Sequence, residues 1–205
     1  MDYIAVLEYE HLDNGMFLNA FAQALSRKNS RGIIIHGDSE YTERIIQTGV
    51  MREEATIRAV KDLNHRLVAL FADQGISTIA VNGHQKSLLR FEENSVEVDL
   101  QQLKKFPSQP VILLSALAVE NGTGRVIPVP LPDLARTLKT SLDISEEITV
   151  FSIHEASEII KDELPVVVKP GDLDESYKKK HLPVNFRNVQ FPLRITSAQH
   201  FSANK

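Results

Sequence analysis

Apolar positions fall along this chain in two alternating rhythms. Short continuous runs occur at residues 4–7, 33–35, 76–81, 110–119, 147–152 and 164–168. Each is bounded by turn residues, the mark of a strand buried on both faces. Between them lie stretches with helical spacing. Residues 15–27 place Phe17, Phe21, Ala24 and Leu25 on one side. Residues 51–74 form the longest such pattern, with Ile57, Val60, Leu63, Leu67, Leu70 and Phe71 on one face and Gly75 as a C-cap. Shorter helices are expected around Ile45 and Ile46, over 99–106, over 132–142 with Pro132 in the first turn, and over 153–161. The rhythm changes over 86–100, where alternation around Glu93-Asn94 predicts a β-hairpin lying over the sheet edge.

Strand and helix in turn predict an α/β fold, a three-layer α/β/α sandwich on a mostly parallel sheet. One domain is expected over 1–169. After Lys169 the pattern becomes irregular, so 170–205 reads as a tail packed on that domain.

Within this frame the informative stretch is 31–48. Its isoleucine run stops at His36-Gly37-Asp38-Ser39, where a strand end meets a helix start. Asp38 or Ser39 can cap that helix. Ligands of open α/β sheets collect at such junctions, where free N–H groups and the helix dipole attract anions. Asn64 and Arg66 on the long helix read from their spacing as exposed polar positions. Asp133 reads as a cap, and Gly83 as a turn after a buried strand.

Composition narrows the chemistry. The 205 residues are 42% hydrophobic and 24% charged, with a net charge of −4, which argues against a nucleic-acid-wrapping surface. There is no cysteine, so thiolate chemistry, disulfides and cysteine zinc sites are excluded. The seven histidines show no metal-ligand spacing on a helix face, so no metal site is expected. No run approaches the roughly 20 apolar residues of a membrane span. MDYIAVLEYE has no basic, apolar signal pattern, and a cytoplasmic protein is expected. Phosphate-loop, dinucleotide, zincin and serine-elbow motifs are all missing.

Read in order, several segments resemble the amino-acid kinase family, acetylglutamate kinases above all: IIIHGDSEYTERI, NHRLVALFADQGI, IAVNGHQKSLL, PVILLSALAVENGTGRV and LPDLARTL. The resemblance covers roughly residues 4–160. It implies a carbamate-kinase-like sandwich and transfer of the γ-phosphoryl of ATP, with magnesium, to an acyl-amino-acid carboxylate such as acetylglutamate. It also implies that His36, Gly37, Asp38, Ser39, Arg52, Asn64 and Gly83 line a substrate or anion site. Asp133 stands for the aspartate that organises catalytic lysines. Dimerisation through the long helix is implied as well, and Ala55, Ala59, Val68, Ala69 and Ala72 are compatible with a second contact face.

The departures carry equal weight. The family's first-strand lysine and glycine pair are replaced by VLEYEHLDN, with Glu8 and Glu10 where a phosphate would lie. The triple glycine has become Gly37-Asp38-Ser39. SIHEASEII lacks the nucleotide motif, so the nucleotide lobe is expected to be reduced. Two readings follow. One is a kinase-like protein that has lost phosphoryl transfer and serves as a ligand-binding, regulatory or structural homo-oligomer, with no resident cofactor. The other is a divergent ATP- and Mg-dependent kinase using Lys86, Lys169 or the run Lys178–Lys180.

Overall fold

A computed structural model describes residues 1–28, 30–108, 110–153 and 164–202. The chain begins with β1 (Tyr3–Leu7), α1 (Tyr9–Leu12), α2 (Gly15–Ser26), β2 (Gly32–His36), α3 (Tyr41–Ile46) and α4 (Arg52–Asp73). Then come β3 (Thr78–Asn82), β4 (Leu89–Glu92), β5 (Ser95–Val98), α5 (Leu100–Leu103), β6 (Val111–Ser115), β7 (Leu117–Glu120) and β8 (Val126–Pro128). It closes with α6 (Leu131–Ser141), β9 (Ile148–Phe151), β10 (Val166–Val168), α7 (Glu175–His181) and β11 (Leu193–Thr196).

Seven strands form one sheet in the order β10-β11-β9-β1-β2-β6-β3, parallel except for the β10–β11 pair. Side chains alternate between its faces, as the two-residue period of a strand requires. Tyr3, Ala5, Leu7, Ile34, Leu113 and Phe151 pack with Phe21 of α2 and Leu63, Leu67 and Phe71 of α4. Ile4, Val6, Ile33, Ile35, Ile112 and Val150 pack on the other face with Leu134, Ala135 and Leu138 of α6. The three-layer sandwich expected from the pattern is present.

The hairpin over 86–100 is β4–β5, turning through Glu93 and Asn94 at φ 48° and 62°. Two adjacent left-handed residues give the twist that a tight hairpin needs. It belongs to a second sheet of order β5-β4-β7-β8.

Two expectations are corrected. The single strand expected over 110–119 divides at Ala116, and β7 leaves the large sheet for the small one. Residues 170–205 are not simply irregular. They supply α7 and then β11, which enters the sheet between β10 and β9. Leu193 and Ile195 are fully buried there. The short irregular stretch between α7 and β11 hid a strand of only four residues. The helix expected over 153–161 lies, from residue 154 on, outside the described residues.

Candidate functional site

Because β1, β2, β6, β3, β9 and β11 run in parallel, their carboxyl ends share one edge of the sheet. At this edge His36 ends β2 opposite Ser115 of β6, and Ser115 stands opposite Asn82 of β3. These polar residues terminate otherwise apolar strands, and α4 lies over them. His36 Nε2 is 3.2 Å from Asn64 Oδ1, and Asn64 Nδ2 donates to Asn82 Oδ1 at 3.3 Å. Ser115 Oγ donates to Asn82 Oδ1 at 3.1 Å, and the Gly83 amide reaches Ser115 Oγ at 3.4 Å. His36, Asn64 and Ser115 are completely buried. Asn64 is therefore not the exposed position its spacing suggested, because its helical face meets the polar ends of the strands. Arg66 is exposed as expected.

Burial lowers the His36 pKa to about 4, against weaker opposing effects of the Asn64 and Gly37 hydrogen bonds. At neutral pH the ring is uncharged and carries one proton. Asn64 Oδ1 and Gly37 O both only accept, so the Asn64 link is a hydrogen bond with the proton on Nε2, which leaves Nδ1, 3.2 Å from Gly37 O, without a proton to donate. The floor of the site is thus a chain of neutral hydrogen-bonding groups.

Above this floor, Asp38 accepts from the Ser39 amide at 2.8 Å and from the Thr42 hydroxyl, and Ser39 Oγ accepts from the Tyr41 amide at 3.2 Å. Both side chains thereby stabilise the start of α3, one turn too short to provide a strong dipole. Burial raises the Asp38 pKa, while the Thr42 and Ser39 bonds and nearby Arg52 oppose it. Arg52 itself is exposed and pairs with Glu43 at 2.9 Å. Tyr9 has its pKa raised by burial and then by Glu40, Asp38, Glu43 and Asp13, so this rim is predominantly acidic.

The two glycines differ. A Cβ at Gly37 would meet Leu131 Cδ1 at 3.4 Å, an ordinary contact. At Gly83 it would lie 2.3 Å from Leu89 Cδ1 and 2.4 Å from the Leu117 carbonyl oxygen. Gly83 is required by close approach of the small sheet. Asp133, in the first turn of α6, is partly exposed, with Arg136 at 3.9 Å as its ion-pair partner among the described residues. No lysine pairs with it among the described residues, and Leu131 of the same helix lies beside Gly37.

One position along the edge, β1 ends differently. Glu8 is 2% exposed. Its Oε2 accepts from Asn185 Nδ2 at 2.9 Å, across 177 residues of sequence, while Oε1 is buried with no hydrogen-bond partner among the described residues. Burial raises its pKa to about 7, opposed by the Asn185 bond and the Tyr9 backbone amide and assisted by Glu10. His11, also buried, stacks on Phe17 with ring centroids 4.5 Å apart, and burial lowers its pKa to about 4.

The lysines named for the kinase reading lie apart. Lys86 is exposed beyond β3, three strands or about 14 Å from β1 at ordinary strand spacing. Lys169 follows β10, which runs antiparallel and so delivers it to the opposite edge of the sheet. Lys178 pairs with Glu175 at 2.9 Å, and Lys179 and Lys180 are exposed.

No protein-family model and no curated protein sequence matches the chain. Solved structures do. An isopentenyl phosphate kinase superposes with a TM-score of 0.60 at 12% identity, covering 74% of this chain and 73% of that one. Aspartokinase III from E. coli, solved with aspartate and ADP, gives 0.56 at 13% identity over 74% of this chain and 49% of its own. The T. acidophilum isopentenyl phosphate kinase product complex gives 0.60 at 10% identity, over 98% of this chain and 92% of that one. The chain has the amino-acid kinase fold. Within that fold the likeness runs past residue 160, where the resemblance in sequence ended, and takes in β10, α7 and β11. It does not single out acetylglutamate kinase.

Sequence reasoning named His36, Asn64 and Gly83, which the amino-acid kinase fold brings together, but missed Asn82 and Ser115. Both were detectable as polar residues closing apolar strands. Asn185 had no local signal, because its role depends on a contact with the other end of the chain.

Proposed function

We propose that this protein is a non-phosphorylating relative of the amino-acid kinases that binds a small molecule over the His36–Asn64–Asn82–Ser115 floor and acts as a ligand-binding, regulatory or structural homodimer. The observation that carries the reading is the end of β1. Where the resemblance calls for a lysine and a glycine pair, a buried carboxyl stands, sealed by Asn185. Phosphoryl transfer depends on neutralising charge with cations and amides, and Glu8 supplies neither. The placements of Lys86, Lys169 and Lys178 support the same reading, since none accompanies Asp133.

The ligand is an acyl-amino acid such as acetylglutamate or a related small anion, with Arg52 a cation whose charge acts on Asp38. The acidic rim favours a ligand that also presents a neutral or donor group to Asp38. Calorimetric titration with acetylglutamate and related acyl-amino acids tests this. Binding that weakens in Arg52→Ala supports it, and no heat with any of them counts against it. Arg52 is exposed, so this variant is expected to fold.

The competing reading, an ATP- and Mg-dependent kinase for an acyl-amino-acid carboxylate, is favoured by the likeness to a kinase product complex over 92% of that chain. It requires a lysine to reach the end of β1. For the dimer, Val68, Ala69 and Ala72 of α4 remain wholly or partly exposed, whereas Ala55 and Ala59 are buried within the chain. A trough of about 200 Å³ on α4, lined by Leu18, Leu63, Leu67 and Leu70 with Gly15, Asn19 and Arg66, offers a partly apolar surface for a second copy. Sedimentation at two concentrations tests the dimer; a monomer at both would refute it.

A further inference from the structure

We propose that the turn Val184–Phe186 is a plug over the carboxyl end of β1, held shut by the Glu8–Asn185 contact and released when Glu8 ionises. This goes beyond the proposed function and does not depend on which ligand the neighbouring site takes.

The turn is anchored on one side and exposed on the other. Phe186 is fully buried and joins the core cluster that contains Leu134, Ala135 and Leu138 of α6, and its amide donates to Pro183 O at 2.9 Å. Val184 is 61% exposed. Polar contacts to the strand end are few: Asn185 Nδ2 to Glu8 Oε2 at 2.9 Å and the Val184 amide to Glu10 Oε1 at 3.5 Å. The second Glu8 oxygen has no hydrogen-bond partner among the described residues. A buried, half-satisfied carboxyl tolerates a proton and penalises a charge. An exposed carboxylate in the opened state has no such penalty, so ionisation favours opening.

The Asn185 bond and the Tyr9 amide favour the ionised carboxyl but are outweighed by burial, and the charges around Glu8 do not reverse this sign. Glu10, on the same short helix, adds repulsion. Arg187 is turned away, donating to the Leu182 and Lys179 carbonyls. On α7, His181 lies against Ser152. On α6, Asp133 and Arg136 face each other at 3.9 Å. His11 is held neutral by burial. Among the described residues Glu8 has no cationic partner.

In the closed state the Glu8 pKa is about 7 against the ordinary glutamate value of 4.5, so closure is most stable below 4.5 and weakens as pH rises to 7. Hydrogen exchange of the full chain, corrected for intrinsic rates, reads this at the Phe186 amide. Protection is expected to fall roughly 10- to 30-fold between pH 5.5 and 8. Glu8→Gln removes the titration and is expected to show equal protection at both pH values. Asn185→Ala changes an exposed residue, keeps the fold, and is expected to lower protection at pH 5.5. Equal protection in the unaltered protein at both pH values would overturn the proposal. So would a pH-dependent fall that survives Glu8→Gln, or unchanged protection in Asn185→Ala. None of these results depends on ligand binding, so the plug and the binding site can fail separately.

Discussion

Two neighbouring strands of one sheet end in opposite ways. At the end of β2 four side chains from three strands and a helix complete one another, and every link is a neutral hydrogen bond. At the end of β1 a carboxyl is buried with one oxygen paired and one not, and its partner arrives from the far end of the chain. A satisfied network fixes geometry and resists change, whereas a half-satisfied acid is a weak point that responds to pH. Under the proposed function, the difference separates a preorganised floor for a ligand from a closure at the strand end where the resemblance would put a phosphate.

The largest expected break is at the floor. Asn64→Ala leaves His36 and Asn82 short of a partner in a sealed interior. It is expected to cost about 2–4 kcal/mol in urea unfolding. A loss under about 0.5 kcal/mol would show that the network contributes little.

The pH response sharpens the contrast. His36 and His11, with pKa values lowered to about 4, contribute stability that is full above 6.5 and lost as pH falls toward 4. Glu8, raised to about 7, contributes stability that is full below 4.5 and lost as pH rises to 7. The two trends oppose each other between 4.5 and 6.5 and flatten the profile. Glu8→Gln removes one of them, so unfolding free energy is expected to fall more steeply on acidification, by on the order of 2 kcal/mol from pH 6.5 to 4.5. An unchanged slope would mean that Glu8 titrates normally.

Smaller effects follow. Asn185→Ala removes one exposed donor and is expected to cost about 1 kcal/mol near pH 5, at most half the effect at Asn64. Arg52→Ala breaks only an exposed pair with Glu43 and is expected to change stability by about 0.5 kcal/mol or less. Its effect is to be sought in ligand binding.

The layers of this fold were legible because apolar runs and helical stripes report burial directly: the isoleucines of β2 and the Leu63–Leu67–Phe71 stripe of α4 lie where their spacing puts them. His36 and Gly83 were legible as interruptions of such runs. Asn64 was misread because a polar residue on a helix ordinarily faces water, and only the packed structure shows it facing Asn82 and His36. β11 and Asn185 escaped for a different reason. A four-residue strand after an irregular stretch has too little periodicity to register, and a contact spanning 177 residues leaves no local trace.

The central claim, that the closed end of β1 has replaced phosphoryl transfer, is tested most directly by calorimetric titration of the purified full chain with ATP-Mg, followed by an ADP-release assay in the presence of acetylglutamate. The account predicts no saturable heat and no substrate-dependent ADP. Saturable ATP-Mg binding with ADP release that rises with the acyl-amino acid would contradict it.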